Sequence, residues 1–221
     1  MIESATGLIL RTRRLTETSL IVHWLTPQLG RIATVAKGAR RPKSPFQGKL
    51  DLFYEADFSF SRSRRSELHT LGEIKLLEIH TPLRRELGYL QQASYCASLI
   101  EQATETETPL PTIYQLMRDF LAILPQQPPQ SRLLLAFELK LLAELGLKPD
   151  LTKTRLSAGT RKMISALGDC DWQGISRLVP SAEQTVELRE FLHGFLIFHL
   201  GKIPRHRGGH LVYSAGLNTS Y

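Results

Sequence analysis

The hydrophobic pattern of this chain changes its period at Thr81-Pro82, and this change restricts the folds that the chain can adopt. Before it, apolar and polar residues alternate, most clearly over residues 52–60, and a period of two is typical of strands that bury one face. After it, apolar residues recur every three or four positions, as in amphipathic helices. The sequence therefore predicts an α+β fold, with a β domain at residues 1–80 and an all-α domain at residues 81–221.

Five strands fit into the first domain, over residues 7–13, 19–26, 31–37, 52–60 and 68–79. In the fourth strand, Glu55 and its alternate neighbours are expected outside, and the expected inward residues are Leu52, Tyr54, Ala56, Phe58 and Phe60. Trp24 is a second expected core ring, and Gly72 interrupts the last strand where a β-bulge would fit. Because an open edge invites pairing with other chains, a sheet this small is expected to close on itself. We predict a five-stranded OB-fold β-barrel.

Helices are expected to begin near Leu83, Pro111, Arg132, Gly159 and Ser181. Apolar residues cover most of the circumference of the third helix, which predicts the central buried helix of a bundle, with Gly146 as its C-cap. Ser181 and Gln184 predict a capping box at the start of the last helix. On the first and last helices we expect the buried faces to include Leu87 and Phe198.

The net charge of +7 is unevenly distributed. Residues 1–80 carry 13 basic and 8 acidic side chains, residues 81–150 carry 6 and 8, and residues 151–221 carry 9 and 5. The densest basic stretch, residues 37–49, contains two glycines and two prolines and is therefore predicted to be a loop. Its cations suit a phosphate backbone, although a solvated surface loop or a basic targeting signal has the same composition. Phe46, within it, is either a ring on which bases stack or a plug over the open end of the barrel.

Catalytic motifs are absent from the sequence: it has no P-loop, no G-x-S-x-G elbow and no G-x-G-x-x-G turn. Its two cysteines, Cys96 and Cys170, cannot supply a four-ligand zinc site, and His206 and His210 have Gly208-Gly209 between them. We therefore expect no enzyme activity, no metal and no cofactor. No apolar run reaches the roughly 18 residues of a membrane span, and we expect a cytoplasmic protein with reduced thiols.

Three segments of the N-terminal region, in this order and at this spacing, resemble the bacterial RecO family of DNA repair proteins: TETSLIV at 16–22, TPQLGR at 26–31 and VAKGARRPKS at 35–44. Residues 136–146 (AFELKLLAELG) are similar to the central helix of that family, and residues 188–207 to its C-terminal helix. Many members carry a four-cysteine zinc module after the central helix. Residues 147–162 contain no cysteine, so the chain resembles the zinc-free members.

This resemblance implies an OB barrel followed by a helical domain, in agreement with the periodicity. It also implies a recombination mediator that binds single- and double-stranded DNA and anneals complementary strands. With RecR, and often RecF, such a protein loads RecA onto DNA coated by single-stranded-DNA-binding protein (SSB). The expected location is the cytoplasm, in association with the nucleoid.

The charge clustering predicts which residues contact DNA. A groove on the barrel would be lined by Arg14, Arg31, Lys37, Arg40, Arg41, Lys43 and Lys49. The turn before the fifth strand could extend it with Arg62, Arg64 and Arg65. The basic tail (Lys202, Arg205 and Arg207) would bind DNA or the acidic tail of SSB, or is a solvated terminus.

Two other functions remain open at this point. One is a protein-interaction adaptor that does not bind DNA and uses the basic loop and the helical bundle to hold partners. The other is a magnesium-dependent enzyme acting on nucleic acid, for which Asp51, Glu55 and Asp57 are the available carboxylates.

Overall fold

Strand β1 (Ile2–Arg14) is long enough to pair with two neighbours, and this pairing closes the sheet. In the computed structural model, which describes residues 2–204, its first half pairs with β4 (Glu55–Ser61) and its second half with β2 (Leu20–Thr26). Strands β3 (Gly30–Ala36) and β5 (Leu68–Glu78) complete a closed barrel in the order β1-β2-β3-β5-β4. Among the strand pairs of this barrel, which lies within residues 2–204, β3 and β5 are the pair that runs parallel. The predicted fold class, an OB-type barrel followed by helices, is confirmed.

The barrel interior is filled by aromatic and branched side chains. Trp24 stacks on Phe58 with ring centroids 4.0 Å apart, and its indole nitrogen donates to Thr34 Oγ1 at 2.8 Å. Both rings are buried, as predicted. Opposite Ser59, β5 contains one extra residue, because Phe58 pairs with Ile74 whereas Phe60 pairs with Leu71. The β-bulge predicted at Gly72 is therefore present.

The start of β4 differs from the prediction. Residues 52–54 are not part of the strand, and Phe53 has a φ of 63°. Its N–H donates to Ile9 O at 2.8 Å, and this left-handed turn places the Phe53 ring in the interior while Leu52 and Tyr54 stay half-buried. Glu55, expected outside, is buried and accepts a hydrogen bond from Tyr114 Oη at 2.6 Å. The inward prediction is confirmed for Ala56, Phe58 and Phe60. Tyr54 is half-buried but packs against the barrel core, as predicted, whereas Leu52 does not belong to that core.

Residues 104–115, from beyond the predicted β domain, pack on the barrel. Leu110 N donates to Pro27 O at 3.1 Å, and Glu107 N donates to Arg31 O at 2.9 Å. The chain divides by its contacts into one unit of residues 2–81 with 104–115 and another of residues 82–103 with 116–204. The predicted domain boundary after residue 80 stays a prediction, and the structure adds residues 104–115 to the barrel unit.

The α-helices are α1 (Leu87–Ala103), α2 (Pro111–Ile123), α3 (Ser131–Glu144), α4 (Ala158–Asp169), α5 (Trp172–Arg177) and α6 (Ala182–Leu200). Short 3₁₀ turns occupy Thr81–Arg85, Leu124–Gln126 and Leu151–Lys153. None of the helices within residues 2–204 combines the length and hydropathy needed to cross a lipid bilayer.

Helix α3 is buried on nearly all sides and is central, as predicted. The C-cap of α3 is Leu145, one position before the predicted Gly146, which follows it with a φ of 73° and donates to Ala143 O at 3.0 Å. The capping box predicted at Ser181 and Gln184 is present. Leu87, at the first position of α1, and Phe198, in α6, are 69% and 83% exposed, so their predicted burial was wrong. Phe198 lies two residues from the buried Leu196, which on a helix is more than half a turn. The short helix α5 was not predicted, since six residues show no period.

Candidate nucleic-acid interface

Residues 37–49, called the basic loop from here on, form a series of tight turns. Each turn is closed by a backbone hydrogen bond from residue i+3 to residue i. The donor and acceptor pairs are Arg41 to Gly38 at 3.0 Å, Ser44 to Arg41 at 3.1 Å, Gln47 to Ser44 at 3.1 Å and Lys49 to Phe46 at 3.0 Å. Gly38 and Gly48 have φ values of 69° and 70°, which glycine adopts without strain. The loop therefore has a defined, hydrogen-bonded backbone from which its cationic side chains extend.

The hairpin between β1 and β2 holds the start of the basic loop. Arg40 N donates to Thr18 O at 3.0 Å, and Arg40 Nη1 donates to Glu17 O at 2.8 Å. The middle of the loop is held by Phe46, which is 7% exposed and packs with the barrel core. Of the two roles expected for Phe46, the structure supports the plug, and stacking of a base on this ring stays a prediction.

The cations of the basic loop face solvent, apart from the half-buried Lys49. Within the described part of the chain, the side chains of Arg41 and Lys43 have no hydrogen bond or ion pair. The loop contains no carboxylate, and Glu17, on the neighbouring hairpin, is paired with Arg14 at 3.0 Å. The structure thus brings Lys37, Arg40, Arg41, Lys43 and Lys49 together with Arg14 at one end of the barrel.

Arg31 lies on β3 and has a structural partner. Its Nε donates to Thr104 Oγ1 at 2.8 Å and its Nη2 donates to Thr104 O. These bonds hold the segment 104–115 against the barrel. DNA binding by Arg31 stays a prediction. It would require a guanidinium group that already donates hydrogen bonds to Thr104.

Arg62, Arg64 and Arg65 lie in the turn between β4 and β5. Arg62 pairs with Glu3 at 2.7 Å and with Glu107 at 3.0 Å, and its hydrogen bond lowers the pKa of Glu3 below the ordinary value. Arg64 and Arg65 are exposed.

The strand pairing separates this turn from the basic loop. Strand β5 begins beside Ala33 and runs parallel to β3, so the turn that precedes β5 lies toward the start of β3. The basic loop leaves β3 at its other end, after Ala36. The structure therefore does not bring the three arginines of this turn together with the loop, and their binding to DNA stays a prediction.

Two further arginines, missed in the sequence, share the outer face of β1. Arg11 is paired across the sheet with His23, and Arg13 follows two positions later on the same face. Burial, followed by the charges of Arg11, Arg13 and Arg31, lowers the pKa of His23 to about 4. His23 is thus neutral at pH 7. The three arginines that contribute to its lowered pKa give the outer face of β1 and β2 a positive electrostatic potential. Basic residues two positions apart in a predicted strand were the signal that could have identified the pair.

The carboxylates considered for a magnesium site have separate partners. Glu55 binds Tyr114, Asp57 Oδ1 accepts from Thr6 Oγ1 at 2.6 Å, and Asp51 Oδ1 accepts from Leu52 N at 2.8 Å. Among residues 2–204, no three His, Cys, Asp or Glu side chains are grouped as metal ligands would be.

Part of the basic tail lies beyond the described region. Lys202 is exposed, while Arg205 and Arg207 lie outside the described residues.

Comparison with known proteins gives one family. The chain matches the family model "Recombination protein O N terminal" over residues 1–80 and the model "Recombination protein O C terminal" over residues 84–155. The DNA repair protein RecO of Alkaliphilus metalliredigens is 33% identical over 153 residues, which are 69% of this chain and 61% of that protein. That of Exiguobacterium sibiricum is 30% identical over 154 residues, 68% of this chain and 60% of that protein. The chain thus spans about three fifths of the length of these relatives. Because two models of one family match consecutive parts of the chain, and curated RecO proteins are about one third identical to it, the chain belongs to the RecO family.

Proposed function

We propose that this chain is a DNA-binding recombination mediator in DNA repair, and that it binds single- and double-stranded DNA through the basic loop of its barrel. The observation that carries the proposal is the basic loop itself. It presents five cations and no carboxylate on a backbone anchored by Phe46 and Arg40. The relatives described above are DNA repair proteins, which supports a role in the same process.

Strand annealing follows from the same surface. Two complementary strands repel each other through their phosphates, and lysine and arginine contacts replace the counterions that screen this repulsion. Arg41 and Lys43, which have no internal ion pair within the described residues, are available for this purpose. The proposed mechanism is therefore non-catalytic and depends on binding alone.

The partners proposed for the chain are those that the family resemblance implies. RecR would act with it to load RecA onto strands coated by SSB, and RecF would join in some of these reactions. A mediator of this kind would act in the bacterial cytoplasm, at the nucleoid.

The test is the annealing of complementary oligonucleotides coated with the cognate SSB, measured with and without this chain. We expect faster annealing with the chain present, and a further increase in RecA loading when RecR is added. An annealing rate that does not change with the chain, under conditions where the chain is folded, would refute the mediator role.

A direct titration distinguishes the protein-interaction adaptor. Single-stranded DNA is added to the chain alone, with no other protein present. The mediator binds the DNA with an affinity that falls steeply as salt increases, whereas an adaptor that uses the basic loop for an acidic protein surface does not bind it.

A further inference from the structure

Helix α6 has two apolar faces. The first face packs on helices α3 and α4 and consists of the fully buried Leu188, Leu192 and Leu196. The second face, which we call the aromatic stripe, consists of Phe191, Phe195 and Phe198. Helices that are apolar on all sides are normally buried in a protein. Within residues 2–204, however, nothing covers the aromatic stripe completely, because its three rings are half-buried or exposed.

The rings of the aromatic stripe form a continuous row together with His199. The ring centroids of Phe191 and Phe195 are 5.7 Å apart, and those of Phe195 and His199 are 4.3 Å apart. His199 and Phe198 continue the row at 5.0 Å. Phe198 is 83% exposed, and Ile197 beside it is 42% exposed. A contiguous apolar surface that faces water marks an interaction site, unlike apolar side chains that are exposed singly.

Gly194 lies in the middle of this row, next to Phe195. Glycine destabilises the middle of a helix relative to alanine, because it loses more backbone freedom on folding. No atom lies within 4 Å of the position that a Cβ would take at Gly194, so the packing of the described chain does not require glycine there. The open space does allow a ring from another molecule to approach the helix backbone closely.

The exposed side of α6 carries opposite charges at its two ends. Glu183 and Glu190 are exposed in the first half of the helix, and Lys202 is exposed just after its last residue. In the part of the chain that the structure describes, the side chains of Glu190 and Lys202 have no hydrogen bond or ion pair. A uniformly acidic or uniformly basic partner would therefore meet like charges at one end of this face.

We propose that the exposed face of α6 pairs with the same face of a second copy of this chain, with the two helices antiparallel. A two-fold axis between positions 194 and 195 sets Gly194 against Phe195 of the second copy, and Phe191 against Phe198 of the second copy. It also brings Glu190 of each chain within one helical turn of Lys202 of the other. The face is thus complementary to itself in shape and charge, as an interface between identical chains requires. Parallel helices would instead bring like charges together.

The pairing adds a property that the proposed function does not include. A dimer carries two basic loops, so the two strands of an annealing reaction can bind to different loops. This consequence rests on the proposed DNA binding, whereas the pairing of the helices does not.

The test is sedimentation equilibrium of the full chain without DNA, over a wide range of protein concentrations. We expect the mass to rise with concentration from 25.0 kDa toward twice that value. The 19 residues of α6 span about 28 Å, and one helix face of this length is smaller than the about 800 Å² per partner of a standard interface. The dimer should therefore be weak, with a dissociation constant on the order of tens of micromolar.

Phe198→Ala tests the aromatic stripe. Because Phe198 is exposed in the single chain, its removal should leave the fold intact, and we expect it to raise the dissociation constant of the dimer about tenfold. Leu87→Ala is the matched control, since it removes an exposed apolar side chain from the first position of α1. This control should leave the dissociation constant unchanged.

Charge reversal tests the orientation of the helices. Glu190→Lys places two lysines near each other at both ends of the antiparallel pair, and we expect the dissociation constant to rise about fivefold to tenfold. Combining it with Lys202→Glu restores opposite charges across the interface and should recover most of the affinity. Both side chains are exposed, so neither change should affect folding.

Each outcome has a distinct meaning. A mass of 25.0 kDa at every concentration would overturn the pairing and leave the face to a partner other than this chain. A dimer that is equally stable in Phe198→Ala would also overturn it, because the chains would then associate through a different surface. Failure of the double charge reversal to recover affinity would overturn the antiparallel arrangement. None of these masses depends on DNA, so the titration with single-stranded DNA tests the proposed function separately.

Discussion

Replacing Arg41 and Lys43 together by alanine removes two exposed positive charges from the basic loop without removing any contact that holds it. Within residues 2–204, neither side chain has a hydrogen bond or ion pair. Arg40 is left in place because its guanidinium and its N–H hold the loop to the β1–β2 hairpin. The double variant should therefore fold as the unmodified chain does, and any loss of DNA binding is electrostatic.

The size of the effect follows from counterion release. On single-stranded DNA each phosphate contact contributes about 0.7 to the slope of log K against log salt. Removal of two contacts lowers the magnitude of that slope by about 1.4. If binding extrapolated to 1 M salt is unchanged, the affinity at 0.1 M falls roughly 25-fold, because each contact accounts for about fivefold over that decade.

The assay is a titration of labelled single-stranded DNA at four or more salt concentrations, together with a urea unfolding curve for each variant. Arg161→Ala with Lys162→Ala, in helix α4, is the matched control, because it removes the same charge from the helical unit. We expect this control to keep the slope of the unmodified chain. An unchanged slope for the loop variant, or an equal decrease in the control, would refute the loop as the DNA-binding element.

Three further predictions concern the barrel. Gly30→Ala should lower the free energy of unfolding by about 3 kcal/mol, since its φ is 64° and a Cβ would lie 1.8 Å from Thr108 O. Gly48 has a φ of 70° but open space around an added Cβ, so Gly48→Ala should lower the free energy of unfolding by only about 1 kcal/mol. Equal urea midpoints for the two variants would contradict this reasoning. Because the pKa of His23 is lowered to about 4, the unfolded chain binds a proton more readily below pH 6.5, and stability should fall as the pH drops from 6.5 to 4. Because part of the ring is exposed to solvent, the expected decrease in the free energy of unfolding is about 1–2 kcal/mol. In His23→Gln, the free energies of unfolding measured at pH 4.5 and at pH 7 should differ by less than in the unmodified chain. Phe46→Ala should lower the free energy of unfolding by about 3 kcal/mol, and Phe46→Leu should lower it by less. If DNA binding weakens in Phe46→Ala while the free energy of unfolding stays unchanged, the ring stacks on a base instead of stabilising the core.

Elements whose ends depend on local contacts were predictable from the sequence. The capping box joins Ser181 and Gln184, three residues apart, and the end of α3 depends on Gly146 and the turn before it. The bulge at Gly72 likewise left a local mark, the interruption of an alternating pattern. In each case the interacting groups are close in the sequence, so the residue types alone identify the structure.

Faces of elements were less predictable than their positions. Periodicity assigned Phe53 and Glu55 to the outside, but the left-handed turn at Phe53 shifted the chain before β4 began, and both side chains are buried. Residues 51–54 contain no glycine or asparagine, the residue types that favour a positive φ, so the sequence contains no signal for this turn. The buried position of Glu55 depends on Tyr114, which lies 59 residues further along the chain.

The sequence by itself determined the chemistry of the candidate interface: a run of five cations without a carboxylate, interrupted by glycine and proline, is a charged loop wherever it is placed. Only the tertiary structure decided which basic residues share its surface. Parallel pairing of β3 with β5 sets Arg62, Arg64 and Arg65 at the other end of β3, and the return of residues 104–115 engages Arg31 and Arg62. The tertiary structure also placed Phe46 in the core. These outcomes depend on contacts between residues far apart in the chain. Charge and periodicity are local properties of the sequence, so they do not predict such contacts.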